Sequence, residues 1–108
     1  MDRDSAVVGL QSLASGPRLD VYRLLVRAGP DGLVAGEIAE RLGLPATNLS
    51  FHLKTLTHAG LLTVTQEGRY QRYRADIDTM LELIGYLTEE CCGGEPERCL
   101  PASLGRIR

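Results

Sequence analysis

The sequence predicts a mostly α-helical domain with one β-hairpin, an α+β arrangement, and three observations lead there. Apolar residues recur at helical spacing from the N-terminus to about residue 58. The period then switches to β-branched and aromatic residues on either side of "QEGR" at 66–69. Helical spacing returns in "DIDTMLELIGYLTEE" before Gly, Pro and Arg take over from Gly93. At 108 residues, 44% apolar, with one Phe and no Trp, the chain has the material for one modest core.

At the start, "SAVVGLQSLA" places Val7, Leu10, Leu13 and Ala14 at helical spacing. "SGPRLDVYRLLVRAG" opens a second helix with a cap signal, Pro17 suiting a first turn. Its expected buried stripe is Leu19, Tyr22, Leu25 and Val26, and "GPDG" at 29–32 stops it. A short third helix in "VAGEIAERLGLP" carries Ile38, Ala39 and Leu42 before Gly43. After a three-residue turn, "ATNLSFHLKTLTHAGLL" sets Leu49, Leu53 and Leu56 inward and leaves Thr47, Asn48, Ser50, Phe51, Lys54 and Thr55 outward. "LLTVTQEGRYQRYRA" reads as a two-stranded ribbon turning at Glu67 and Gly68, its outgoing strand basic.

The last helix is capped by Asp76 or Asp78 and carries Ile77, Met80, Leu81, Ile84 and Leu87 on one face, with Leu83 and Tyr86 on another. So many large apolar residues exceed what one small domain covers, so the helix is expected to pack on its own domain and on a second copy of the chain. The alternative is an ordinary central core helix. Residues 1–90 are then expected to form one domain that also dimerises, and 91–108 an irregular tail.

The net charge of -2 conceals a segregation. Residues 45–74 hold Lys54, Arg69, Arg72 and Arg74 against Glu67 alone, whereas 76–97 hold seven acids and no Lys or Arg. An anion-binding middle and a C-terminal part kept off polyanions follow. No apolar run reaches membrane-spanning length, and "MDRDSAVVGL" has acids where a signal peptide needs bases. A cytoplasmic protein without membrane contact is expected, with its thiols reduced.

Helix, helix, turn, helix and basic hairpin is the order of a winged helix-turn-helix, whose partner is double-stranded DNA. The helix beginning near Ala46 would enter the major groove with Thr47, Asn48, Ser50, Phe51, His52 and Lys54. Asn48 suits adenine and Phe51 a thymine methyl, while Ser50 and Lys54 serve bases or phosphates. The ribbon offers Gln66, Arg69, Tyr70, Gln71 and Arg72, with Arg69 and Arg72 on phosphates. Neither His52 nor His58 has a second metal-type residue nearby, so both read as helix-surface or capping residues rather than ligands. The bland alternative is a winged helix used for protein contacts, which the basic middle disfavours.

The run "GEIAERLGLPATNLSFHLKTLTHAGLLTVTQEGRYQRYRAD", residues 36–76, resembles the ArsR/SmtB family of small metalloregulatory repressors, "LSFHLKTLTHAGLL" being its most specific piece. The resemblance implies a homodimer joined through the first and last helices, bound to an imperfect palindrome and released by an inducer. Two inducer sites of that family are missing: Val34 and Gly36 stand where a Cys-x-Cys would be, and 76–90 contains no His.

All three cysteines lie in "EECCGGEPERCL". Zinc prefers four ligands and Cys-x2-Cys pairs, which an adjacent pair plus one fits poorly. As(III) or Sb(III) needs three sulfurs, a lone pair taking the fourth position. Arsenous acid with three thiols gives a neutral complex, which suits surroundings holding Glu89, Glu90, Glu95 and Glu97. Gly93, Gly94 and Pro96 permit Cys99 to return to the pair. The stretch also resembles the C-terminal "CCGG...C" sensor of one arsenic-responsive branch of that family, which implies Cys91, Cys92 and Cys99 as ligands of the inducer. Two rivals stand beside it. A thiol-redox or persulfide switch on the same fold is one, though the carboxylates oppose a low thiol pKa. The other is an enzyme, since Cys92 and Arg98 match the spacing of a phosphatase-like loop. Pro96, Glu95 and Glu97 are wrong for an oxyanion cradle, so no catalysis is expected.

Overall fold

The computed structural model describes residues 1–95 and 98. Helix α1 (Arg3–Leu13) begins at Asp2, whose carboxylate accepts from the Ser5 N–H at 2.7 Å. Helix α2 (Gly16–Ala28) is capped by Ser15 with Pro17 in its first turn, and ends at Gly29, whose φ of 69° no β-branched residue would hold easily. A 3-10 turn, Gly29–Asp31, leads to strand β1 (Leu33–Val34) and helix α3 (Ala35–Leu42). Helix α4 (Ala46–His58), strands β2 (Leu62–Glu67) and β3 (Tyr70–Ala75), and helix α5 (Ile77–Leu87) complete the domain.

One core joins these elements. Val21, Tyr22 and Leu25 of α2, Leu33, Ile38, and Leu49, Leu53 and Leu56 of α4 meet Leu61 and Leu62 at the root of the hairpin. Each buried aliphatic side chain is worth about 1.5–3 kcal/mol relative to exposure, so this cluster holds α4 against the body of the domain. Burial, and secondarily the Asp76 carboxylate, pushes the Tyr22 phenol above its ordinary pKa.

The hairpin is part of a three-stranded antiparallel sheet in the order β1-β3-β2, not a free two-stranded ribbon. Leu33 pairs with Tyr73 and Val34 with Arg72. Two residues are too few for a periodicity signal, so this strand is invisible in the sequence pattern. Gly32 makes it possible: its φ is 62°, and a Cβ there would collide with the Tyr73 carbonyl and sit 2.7 Å from Arg74 Cγ. The turn also falls one residue later than expected. Glu67 pairs with Tyr70, leaving Gly68 and Arg69 as the two loop residues, and the positive φ of Gly68 (60°) suits a primed hairpin turn.

Two predicted stripes, those of α1 and α2, need correction. On α1, Val7 and Leu10 are exposed and Ala6, Gly9 and Ser12 face inward. The small residues let α5 come close, a Cβ on Gly9 standing 3.7 Å from Leu83 Cδ2. On α2, Leu19 and Val26 are exposed and Val21 takes their place, because α2 is contacted by α1, α3, α4 and β3 and its buried face centres on 21, 22 and 25. On α5, Leu83 is the buried residue and Met80 is partly covered. Ile77, Leu81, Ile84 and Leu87 are 45–58% exposed, so α5 is not a central core helix within one chain.

Candidate nucleic-acid interface and thiol pair

Helices α3 and α4 are joined by Gly43–Pro45, with Gly43 in the left-handed conformation (φ 63°) that ends α3. Leu49, Leu53 and Leu56 anchor one side of α4, which puts Thr47, Asn48, Ser50, Phe51 and Lys54 on the open side and His52 at the half-buried margin. Phe51 is 72% exposed, an unusual position for the chain's single Phe and one suited to an apolar partner such as a thymine methyl. The first turn of α4 has no side-chain cap, so its N–H groups and the positive helix end are open to phosphate.

The wing presents Arg69 at its tip and Tyr70, 65% exposed, beside it. Gln66 Nε2 donates to the Gly68 carbonyl at 2.8 Å and so braces the turn. The Tyr73 hydroxyl donates to Gln71 Oε1 at 3.0 Å, and partial burial raises the Tyr73 phenol pKa. Gln71 and Tyr73 stand with Ser50, Lys54 and His58 around a cleft between wing and α4. Arg72 Nε donates to Glu67 at 3.0 Å and its Nη1 to the Asp31 carbonyl at 3.2 Å. Arg74 donates to the Pro30 carbonyl at 2.8 Å and to Thr65 Oγ1 at 3.1 Å. These two arginines tie the wing to the turn after α2, a role the sequence reading missed because nothing in the spacing relates residues 30 and 74. The exposed Arg72–Glu67 pair is worth about 0.2–1 kcal/mol, little enough for a phosphate to compete.

Beyond α5, Cys91–Gly94 makes a short 3-10 turn. Glu90, Cys92, Gly93 and Gly94 all have positive φ, so the chain bends sharply directly after the helix. Cys91 and Cys92 are half-buried with their Sγ atoms 3.8 Å apart, and Cys91 is a free thiol. Cys99 lies outside the described residues. Among the described residues, no three His, Cys, Asp or Glu side chains gather to hold a metal ion. Val34 lies on β1 and Gly36 on α3, and α5 carries no His. Arg98 pairs with Glu95 at 2.9 Å, a local (i, i+3) contact rather than part of an oxyanion cradle.

A helix with its N-terminal polar face open, its apolar face locked into a core and a basic hairpin beside it defines a winged helix-turn-helix DNA-binding regulator. A family model described as a helix-turn-helix domain matches residues 13–65. The chain is 34% identical over 88 residues to the HTH-type transcriptional regulator CmtR of Mycobacterium tuberculosis, spanning 81% of this chain and 72% of that one. Among solved structures it is similar to the homodimeric winged helix-turn-helix DNA-binding domain of Mb0332 from Mycobacterium bovis, a possible ArsR-family regulator (28% identity, TM-score 0.64, 81% of each chain). It is also similar to reduced HlyU from Vibrio cholerae (31% identity, TM-score 0.61, 78% of this chain and 88% of that one). The chain belongs to the ArsR/SmtB family of transcriptional regulators and is not an enzyme. Among the described residues, no helix is long and apolar enough to cross a membrane.

Proposed function

We propose that the chain is a cytoplasmic, homodimeric repressor that grips a palindromic operator with α4 and the wing and lets go when As(III) or Sb(III) is captured by Cys91, Cys92 and Cys99. Residues 1–90 would bind DNA and dimerise; 91–108 would carry the inducer site. The observation that carries the reading is the placement of two adjacent cysteines, their Sγ atoms 3.8 Å apart, at the end of the helix whose apolar face is left open. The family, the homodimeric state of the Mb0332 domain and the neutrality of a tris-thiolate complex among carboxylates all support it.

Closing a three-sulfur cage there would rearrange the last turn of α5. The spacing of two recognition helices depends on that interface, and half-sites one helical turn apart, about 34 Å, tolerate little change in it. Turning a mostly bound dimer into a mostly free one takes about 10⁴-fold preference of the metalloid for the free form, about 5.5 kcal/mol. Two sites at about 1–3 kcal/mol of coupling each come near that figure. X-ray absorption on the As(III)-loaded protein should show three sulfur neighbours; two or fewer overturns the three-thiol site.

A second reading has two observations in its favour: HlyU, a structural neighbour, is known in a reduced form, and Cys91 is a free thiol. A redox or persulfide switch would release operator on peroxide or polysulfide and ignore As(III), so the two readings separate in one gel-shift series.

A further inference from the structure

Arg18, at the start of α2, is held by the end of α1: its Nε donates to the Ser12 carbonyl at 2.6 Å and its Nη2 to the Gln11 carbonyl at 3.4 Å. The first of these bonds satisfies a carbonyl that a helix C-terminus leaves open, while the Gln11 carbonyl also accepts from the Ala14 N–H at 3.2 Å, which gives Arg18 a capping role. Carbonyls, however, are neutral. They fix the guanidinium in place without cancelling its charge, and no carboxylate pairs with it among the described residues. The Nη1 group has no protein acceptor among the described residues.

Arg18 forms one wall of a cleft whose other wall is Lys54 and His58, one turn apart on α4. Gln11 and Ser12 form the floor beside Arg18, and no Asp or Glu lines the cleft. Lys54 and His58 also line the separate cleft under the wing. They are thus a ridge with the wing on one side and the α1–α2 corner on the other. A helix seated in the major groove has a phosphodiester strand along each flank. The wing, with Arg69, serves one. The fixed arginine, with the lysine and histidine facing it and no acid in the lining, matches the other.

We propose that Arg18, Lys54 and His58 form a seat for a DNA backbone phosphate on the α1 side of α4, adding Arg18 and His58 to the DNA footprint. Arg18 supplies the fixed fork that suits phosphate oxygens; Lys54 and His58 close over it from the helix. The contact carries no base preference, so it strengthens operator and random DNA alike and sets how far α4 rolls in the groove. The seat rests on the DNA-binding reading, and wild-type protein binding its operator is the internal check of that reading.

The test is the salt dependence of binding, by fluorescence anisotropy, for wild type, Arg18→Gln and His58→Glu against operator and random duplexes. Each phosphate contact contributes about 0.9 to the slope of log K against log salt, so loss of the seat in both subunits lowers the slope by about two. The seat predicts that drop in Arg18→Gln, with operator and random affinities falling by the same factor. Because Arg18 also caps α1, His58→Glu, an exposed helix position, carries the test if Arg18→Gln melts early; it predicts the same uniform loss. Wild-type slopes in a folded variant, or a loss confined to operator, overturn the proposal. Inorganic phosphate distinguishes the source: if it raises the melting temperature of wild type but not of the variants, while the variants keep the wild-type salt slope on DNA, the cleft is a small-anion site and not a DNA contact.

Discussion

Leu53 and Leu81 are both leucines on amphipathic helices, yet the first is 2% exposed and the second 58%. Leu53 belongs to a module that finishes itself. Helix α4 finds α2, α3 and β2 within one chain, so its apolar face is fully occupied and its polar face is free for DNA. Leu81 belongs to a helix that holds its own domain through buried Leu83 and partly covered Met80 and leaves four large apolar side chains outside. A contiguous apolar face of that kind on a small regulator is an interface awaiting a second surface. On the proposed reading, the regulator is therefore divided between a reading head complete in the monomer and a frame that association would complete.

Leu53→Ala should cost about 2–5 kcal/mol of folding stability, because α4 cannot collapse onto the void left behind; chemical denaturation measures it. Leu81→Asp should leave the fold intact but raise the dimer dissociation constant by about a hundredfold or more, since two leucines worth about 1.5–3 kcal/mol each leave the interface. Sedimentation would show a folded monomer, and an unfolded one would erase the distinction between the two regions. Gly32→Ala, at a positive φ against the Tyr73 carbonyl, should cost more than about 1 kcal/mol and loosen the wing root, lowering the melting temperature. Glu67→Gln should change stability by less than about 1 kcal/mol while freeing Arg72, so operator affinity rises slightly.

The same division explains what the sequence allowed to be read. Leu49, Leu53 and Leu56 recur at helical spacing because one fixed surface selects them, and the polar residues between them are exposed as that spacing requires. Hydrophobic periodicity says that a face is apolar and not what covers it. Val7 and Leu10 were therefore legible as a stripe but not as an outward one, the α5 residues showed an outward excess only because there were too many of them, and Gly9 and Ala6, small enough for close helix contact, carried no hydrophobic signal. Strand β1 escaped because its pairing with β3 joins residues about forty apart through the conformation of one glycine. The ties of Arg72 and Arg74 to residues 30 and 31 escaped for the same reason. The cysteine pair was legible as composition; on the reading proposed above, its position at the end of α5 would give it a mechanical purpose.

The most direct measurement of that purpose is operator release during As(III) titration, followed by anisotropy on wild type and on Cys91→Ser, Cys92→Ser and Cys99→Ser proteins. All four should bind operator equally without metalloid, and the wild type alone should dissociate as As(III) reaches one equivalent per thiol cage. Serine variants that leave the DNA at the wild-type concentration, or a wild type that stays bound, would contradict control of the reading head from the end of α5.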